Sequence, residues 1–175
     1  MPIRLAAPGD AVVLERMIRE YLHESYAGHL GTPAATLKHD VLAGATTQRV
    51  LLAERPNGLT GFVARDGVYD LHWAVRGAQV ADLYVVPAAR GHGVALELLA
   101  SLCSVVAREG GAFIRGGAYD RSSTRAFYSR IAVVEPSTGE AHLSARAFRK
   151  LASLAGLPAR AIARALPPLE WNLTN

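Results

Sequence analysis

Apolar positions change their period along this chain, and each change marks a switch between strand and helix. Ile3–Ala6 predicts a short first strand. Asp10 is then placed to cap a helix over Ala11–Glu24, with Val13, Met17 and Tyr21 on its apolar side. Thr32 and Pro33 read as the N-cap and first residue of a second helix ending near Gly44. Arg49–Glu54 and Gly61–Arg65 carry strand patterns, joined through Pro56-Asn57-Gly58, a hairpin signal. Residues 66–79 are aromatic and lack a clear period, so an extended arm and a loop both stay open. Val80–Val86 predicts a strand and Val94–Glu109 an apolar helix stopped by Gly110-Gly111. Phe113–Tyr119 follows as a strand, Ser122–Arg130 as a short helix, and Ile131–Val134 and Glu140–Leu143 as strands paired through Pro136–Gly139. Ala145–Ala155 and Pro158–Ala165 form two terminal helices separated by Gly156. Antiparallel strands first and strand–helix–strand later predict a mixed α/β (α+β) fold, with a largely antiparallel sheet and helices on both faces.

Composition adds limits to this picture. A chain of 175 residues, half of them apolar, suits one domain with a sizeable core. No stretch approaches the apolar span of a membrane helix, and MPIRLAAPGD lacks the basic-then-apolar pattern of a secretory signal. Cys103 is the single cysteine and sits in an apolar helical run, so a buried structural thiol is expected there. Together these features predict a cytoplasmic protein with no membrane partner. The net charge of +4 is uneven: residues 1–143 balance, whereas residues 144–175 carry Arg146, Arg149, Lys150, Arg160 and Arg164 against Glu170 alone. The predicted organisation is therefore a domain over residues 1–155 and a basic helical C-terminal extension over 156–175. Solvated helix faces account for that basicity, and no nucleic-acid partner is expected.

Candidate chemistry concentrates in Val80–Leu99. There a strand meets Pro87, then Arg90, Gly91 and Gly93, then a helix. The unpaired N–H groups of a helix's first turn, with the helix dipole, favour an anion. Glycines let a phosphate approach the backbone closely, and Arg90 can add a charge-assisted contact. A nucleotide P-loop would need Gly-Lys-Ser/Thr, which is absent, and dinucleotide glycine spacing also fails. A plain tight turn is the competing reading. Histidine spacing supports no metal site: His23 and His29 are six residues apart and no Cys–His cluster exists.

Arg90-Gly91-His92-Gly93-Val94-Ala95 resembles the acetyl-CoA loop of the GNAT superfamily of N-acetyltransferases, whose pattern is Arg/Gln-x-x-Gly-x-Gly/Ala. Arg90, Gly93 and Ala95 occupy its defined positions, and Leu83-Tyr84-Val85-Val86-Pro87 resembles the family's fourth strand. Ala126-Phe127-Tyr128 resembles its later helix. The resemblance covers about residues 2–145 and implies a GNAT-like domain whose sheet is splayed at its centre. It implies acetyl-CoA as co-substrate, with Leu83, Tyr84, Val85 and Val86 contacting the pantetheine arm. Arg90, Gly91, His92, Gly93, Val94 and Ala95 would surround the diphosphate, with His92 facing solvent rather than doing chemistry. The family usually has Asn seven residues before the tyrosine and Gly four after it. Arg121 and Ala132 stand there instead, and Arg121 has the charge to approach a CoA phosphate.

By the same resemblance Tyr128 is the acid that protonates the departing thiolate, against the alternative of a core tyrosine. Asp82 shares a face with Tyr84 and Val86 by period-two alternation, and is a candidate base or a structural carboxylate. Tyr26, Tyr69, His72 and Trp73 are candidate acceptor-site residues because they border the two variable loops. For His72, surface or packing use is the alternative. The expected function is N-acetylation of a primary amine, of a small molecule, by direct attack in a ternary complex without a metal. A non-catalytic acyl-CoA-binding module and acetylation of a macromolecule are the alternatives, the latter motivated by the basic tail. Homodimerisation is common in the resembling family.

Overall fold

The structure, a computed structural model, describes residues 2–26, 31–117, 126–134 and 140–166. Its strands are β1 (Ile3–Leu5), β2 (Arg49–Arg55), β3 (Gly58–Asp70), β4 (Val75–Val85), β5 (Gly111–Gly117), β6 (Val133–Val134) and β7 (Glu140–His142). They form one sheet in the order β1-β2-β3-β4-β5-β7-β6. Every neighbouring pair is antiparallel except β4 and β5, which are parallel because helix α3 (Val94–Arg108) carries the chain from one to the other. α1 (Ala11–Tyr26) and α2 (Ala34–Thr36), which widens into a π-helical turn over Leu37–Leu42, belong to one face. On the other lie α3, α4 (Ala145–Ser153) and α5 (Ala159–Ala165).

Two apolar layers hold the sheet. Val50 and Leu52 of β2 with Phe62 and Ala64 of β3 meet Leu14 and Met17 of α1. Leu51, Ala53 and Val63 project the other way, into the layer that holds Leu98, Leu99 and Leu102 of α3. Val50–Ala53 is thus an unbroken apolar run because both of its faces are covered. Ser144 caps α4 by accepting from the Ala147 N–H at 3.2 Å, and Ala147, Phe148 and Leu151 are buried among the α3 residues.

Two expectations change, and one open reading closes. Asp10 does not cap α1: its carboxylate turns back, accepting from the Ala7 N–H and from Arg4 at 2.8 Å each. That local pairing holds the Asp10 carboxyl below its ordinary range. Pro33, one residue later than expected, precedes α2, with no side-chain cap. Residues 66–79, for which an extended arm and a loop both stood open, form an extended arm that turns at residues 71–74. They complete a long hairpin, with β3 and β4 paired out to Asp70 and Val75.

β4 carries the irregularity that matters. Ala64 pairs with Asp82 while Arg65 pairs with Val80, which leaves Ala81 as an extra residue in β4. A bulge of this kind breaks the alternation and sharpens the local twist. Ala78 and Val80 face the α3 layer before the bulge, and Leu83 and Val85 face it afterwards. The parallel ladder to β5 ends at Val80 opposite Gly116. Beyond that point β4 keeps β3 beside it through Val85, whereas its other edge has no strand among the described residues.

Candidate functional site

The parting of β4 and β5 opens a small cavity of about 20 Å³, lined by Val80, Gly116, Tyr128 and Ala132 among others. Tyr128 reaches it from the helical turn at 126–128. That turn is closed by the Ile131 and Ala132 N–H groups, which donate to the Tyr128 carbonyl at 2.9 and 2.7 Å. Ala132 keeps an ordinary negative φ, so the turn forms without the glycine that the resembling pattern carries there. Burial pushes the Tyr128 hydroxyl up to about 12. A phenol with that pKa stays protonated near neutrality, here at the vertex of the splay.

On the opposite face of β4, Asp82 and Tyr84 project toward α1, as the alternation predicted. Burial raises the Asp82 carboxyl, and a hydrogen bond from Tyr21 pulls it partly back. Tyr84 is almost fully buried, and its hydroxyl donates to Glu20 at 3.2 Å and to Glu24 at 3.5 Å. Burial first, then the charges of Glu24 and Glu20, push the Tyr84 hydroxyl up to about 12. Glu20 and Tyr21 were not among the site residues expected from sequence. The signal was present: Glu20 and Glu24 are like charges at i,i+4 on one helix face, a pairing that costs a helix stability.

The loop after β4 has the conformation that its glycines permit. Gly91 and Gly93 have φ of 75° and 82°, and Gly93 is the N-cap of α3. The first intrahelical bond in α3 runs from the Glu97 N–H to the Gly93 carbonyl at 3.1 Å, so the N–H groups before it lie free of that ladder. His92 is exposed and folds back onto the Arg90 carbonyl at 2.8 Å. Arg90 itself is tied down: it donates to both oxygens of Glu24 at 2.9 and 2.7 Å and to the Val85 carbonyl at 2.9 Å. Its guanidinium lies 5.6 Å from the Tyr84 ring centre. Val94 is buried and Ala95 half-buried on the first turn of α3.

Tyr69, His72 and Trp73 are not brought to this site. They sit at the exposed tip of the β3–β4 hairpin, where Trp73 is 78% exposed and Tyr69 54%. The strand spacing puts the start of β4 at Val75 roughly 17 Å from the parting at Val80. Tyr26 ends α1, and Arg121 lies outside the described residues. Cys103 is fully buried in α3, with its thiol pushed far up by burial. Among the described residues no group of three or more His, Cys, Asp or Glu gathers to hold a metal ion, and no helix is long and apolar enough to cross a membrane.

Residues 14–132 match the sequence profile of the Acetyltransferase (GNAT) family. The chain belongs to the GNAT acetyltransferase family. Solved structures agree with this acetyltransferase in fold. A protein assigned to the acetyltransferases from Arthrobacter sp. FB24 is 31% identical, with a TM-score of 0.64 over 79% of this chain and 89% of that one. The ribosomal-protein-alanine N-acetyltransferase from Brucella melitensis biovar Abortus 2308 is 21% identical, with a TM-score of 0.64 over 78% and 94% of the two chains. An aminoglycoside acetyltransferase from an uncultured soil metagenomic sample, in complex with sisomicin, is 17% identical, with a TM-score of 0.61 over 74% and 84%. No curated protein matches the sequence.

Proposed function

We propose that this GNAT acetyltransferase moves an acetyl group from acetyl-CoA to a primary amine of a small molecule, by direct attack in a ternary complex in the cytoplasm. The observation that carries the reading is the parting of β4 from β5 with Tyr128 at its vertex, and the Gly91–Gly93 loop that follows the end of β4. The residues fit such a co-substrate. Among the described residues the edge of β4 beyond Val80 has no strand beside it to exclude an extended arm, and the start of α3 offers N–H groups to a diphosphate. Leu83–Val86 would hold the arm, with Gly91, Gly93, Val94 and Ala95 around the phosphates.

When bound, acetyl-CoA supplies the acetyl thioester, and the protein supplies position and protons. Tyr128 holds its proton at neutral pH and is placed to give it to a leaving sulfur. Asp82, raised by burial, takes a proton from the incoming ammonium, directly or through water. The carboxylates of Glu20, Glu24 and Asp82 favour a cationic acceptor on the α1 side of β4, with Arg90 balancing Glu24. The inaccessible thiol of Cys103 leaves no role for an acyl-cysteine. The aminoglycoside-bound relative supports a small amine, and the ribosomal-protein relative names the competing class of acceptor.

An acetyl-CoA-dependent amine panel, read by free-thiol release, tests this reading. Release with small amines supports it, whereas binding of acetyl-CoA with no release from any amine identifies a non-catalytic module. Asp82 adds a pH signature. A base must be ionised, so turnover falls as pH falls through the raised pKa, giving an acid limb above the ordinary carboxylate range. Asp82→Asn is expected to lower turnover and remove that limb. Because the folded pKa lies above the unfolded one, the ionised carboxylate costs stability as pH rises through that window. The Asn variant therefore melts no lower than wild type at neutral pH. A normal profile with a lowered melting point would make Asp82 structural.

A further inference from the structure

The C-terminal helices lie outside the residues matched by the family profile, and α5 is fixed directly against the candidate cofactor loop. Three contacts fix it. A Cβ added at Gly93 would come within 2.0 Å of the Ala159 Cβ and 3.5 Å of its Cα, so α5 rests on the glycine that starts α3. The Ala159 N–H donates to Glu97 at 2.9 Å, and Glu97, almost fully buried, also accepts from Arg55 at 2.6 Å. Ile162 is fully buried in the same layer as the α3 residues. The extension is therefore a packed part of the molecule.

Arg160 follows Ala159 directly. Adjacent Cα atoms are about 3.8 Å apart, so the Arg160 backbone lies within about 7 Å of Gly93. An arginine side chain spans that distance. Arg160 is exposed and has no hydrogen-bonded or ionic partner among the described residues. Arg164, one turn later on the same face of α5, is also exposed, but lies about 6 Å farther than Arg160 along the helix axis from the Ala159–Gly93 contact. Meanwhile Arg90, the cation within the loop, is already engaged by Glu24 and the Val85 carbonyl. A dianionic or trianionic ligand at the loop would otherwise meet no uncommitted cation from the loop itself.

We propose that Arg160, delivered by α5, is the phosphate-binding cation of the cofactor site, supplying from the C-terminal extension the charge that Arg90 has committed elsewhere. This rests on the CoA reading above, because the ligand is the phosphate of CoA bound at Gly91–Gly93. A charge-assisted contact of this kind is short and strong, and removing the cation weakens anion binding about tenfold or more.

Calorimetric titration with CoA and with 3′-dephospho-CoA tests it, using wild type, Arg160→Gln and Arg164→Gln. The expected result is a Kd for CoA raised about tenfold or more by Arg160→Gln, with an unchanged melting temperature, and less than a twofold change for Arg164→Gln. A loss seen with CoA alone assigns the contact to the 3′-phosphate, and an equal loss with both ligands assigns it to the diphosphate. CoA affinity in Arg160→Gln equal to wild type would overturn the proposal while leaving the CoA reading intact. Failure of wild type to bind CoA would instead remove the reading on which it rests.

Discussion

Replacing Tyr128 with Phe is expected to cut turnover by about a hundredfold or more while leaving acetyl-CoA affinity within about twofold. The split follows from placement. The ring of Tyr128 packs against the core, 5.2 Å from the Phe127 ring centre, and Phe preserves that packing. What Phe removes is a hydroxyl at the vertex where β4 and β5 part. A departing thiolate that must leave without a nearby proton raises the barrier of the chemical step, not the energy of the bound state. With its pKa near 12, Tyr128 contributes no alkaline limb near neutrality. Steady-state kinetics beside a binding titration separate the two effects. A Phe variant with wild-type turnover would move the acid role to another residue. Loss of affinity with intact turnover at saturation would make Tyr128 a packing residue for the cofactor.

Glu97→Ala is expected to be the most destabilising single change in α3, by about 3 kcal/mol or more. Glu97 is the one buried charged residue of α3, and it serves two partners at once. Its side chain is 6% exposed, and that of Arg55 is 14% exposed. Removing the carboxylate leaves the Arg55 guanidinium in a largely dry site without its counter-charge, and leaves the Ala159 N–H without its acceptor. At this chain length a loss of that size corresponds to a melting point lower by roughly 10 °C. Glu97→Gln, which keeps an acceptor for Ala159, is expected to lose less. Urea unfolding of the two variants measures the difference. Equal stability of Glu97→Ala and wild type would mean that the ion pair does not tie β2 to α3.

The strand–loop–helix at Val80–Leu99 was legible because each of its requirements is local. β-Branched residues make the strand, glycines make the positive-φ turn, and an apolar period makes the helix. The hairpin at Pro56-Asn57 belongs to the same class. What sequence did not show is set by distant parts of the chain meeting. Arg90 reads as a phosphate ligand in its motif, yet Glu24, 66 residues away, claims its guanidinium. Asp10 has the composition of a cap, but Arg4 and the Ala7 N–H offer it a better set of partners. The bulge at Ala81 leaves no mark in the residue pattern, although it is where β4 turns away from β5. Residues 66–79 stayed open for a different reason. Tyr69, Leu71 and Trp73 stand exposed at the tip of a hairpin that runs past the core, so no burial pattern was there to read. Their aromatic character suggested a pocket lining, and the register places them at the far end of β4.

The proposed chemistry depends on one ligand, so isothermal titration of the 175-residue chain with acetyl-CoA is its most direct test. The prediction is saturable binding at a single site per chain, abolished or strongly weakened by Gly93→Val, whose branched Cβ would have to fit both a φ of 82° and the Ala159 contact. No binding by the wild type at millimolar acetyl-CoA would contradict it.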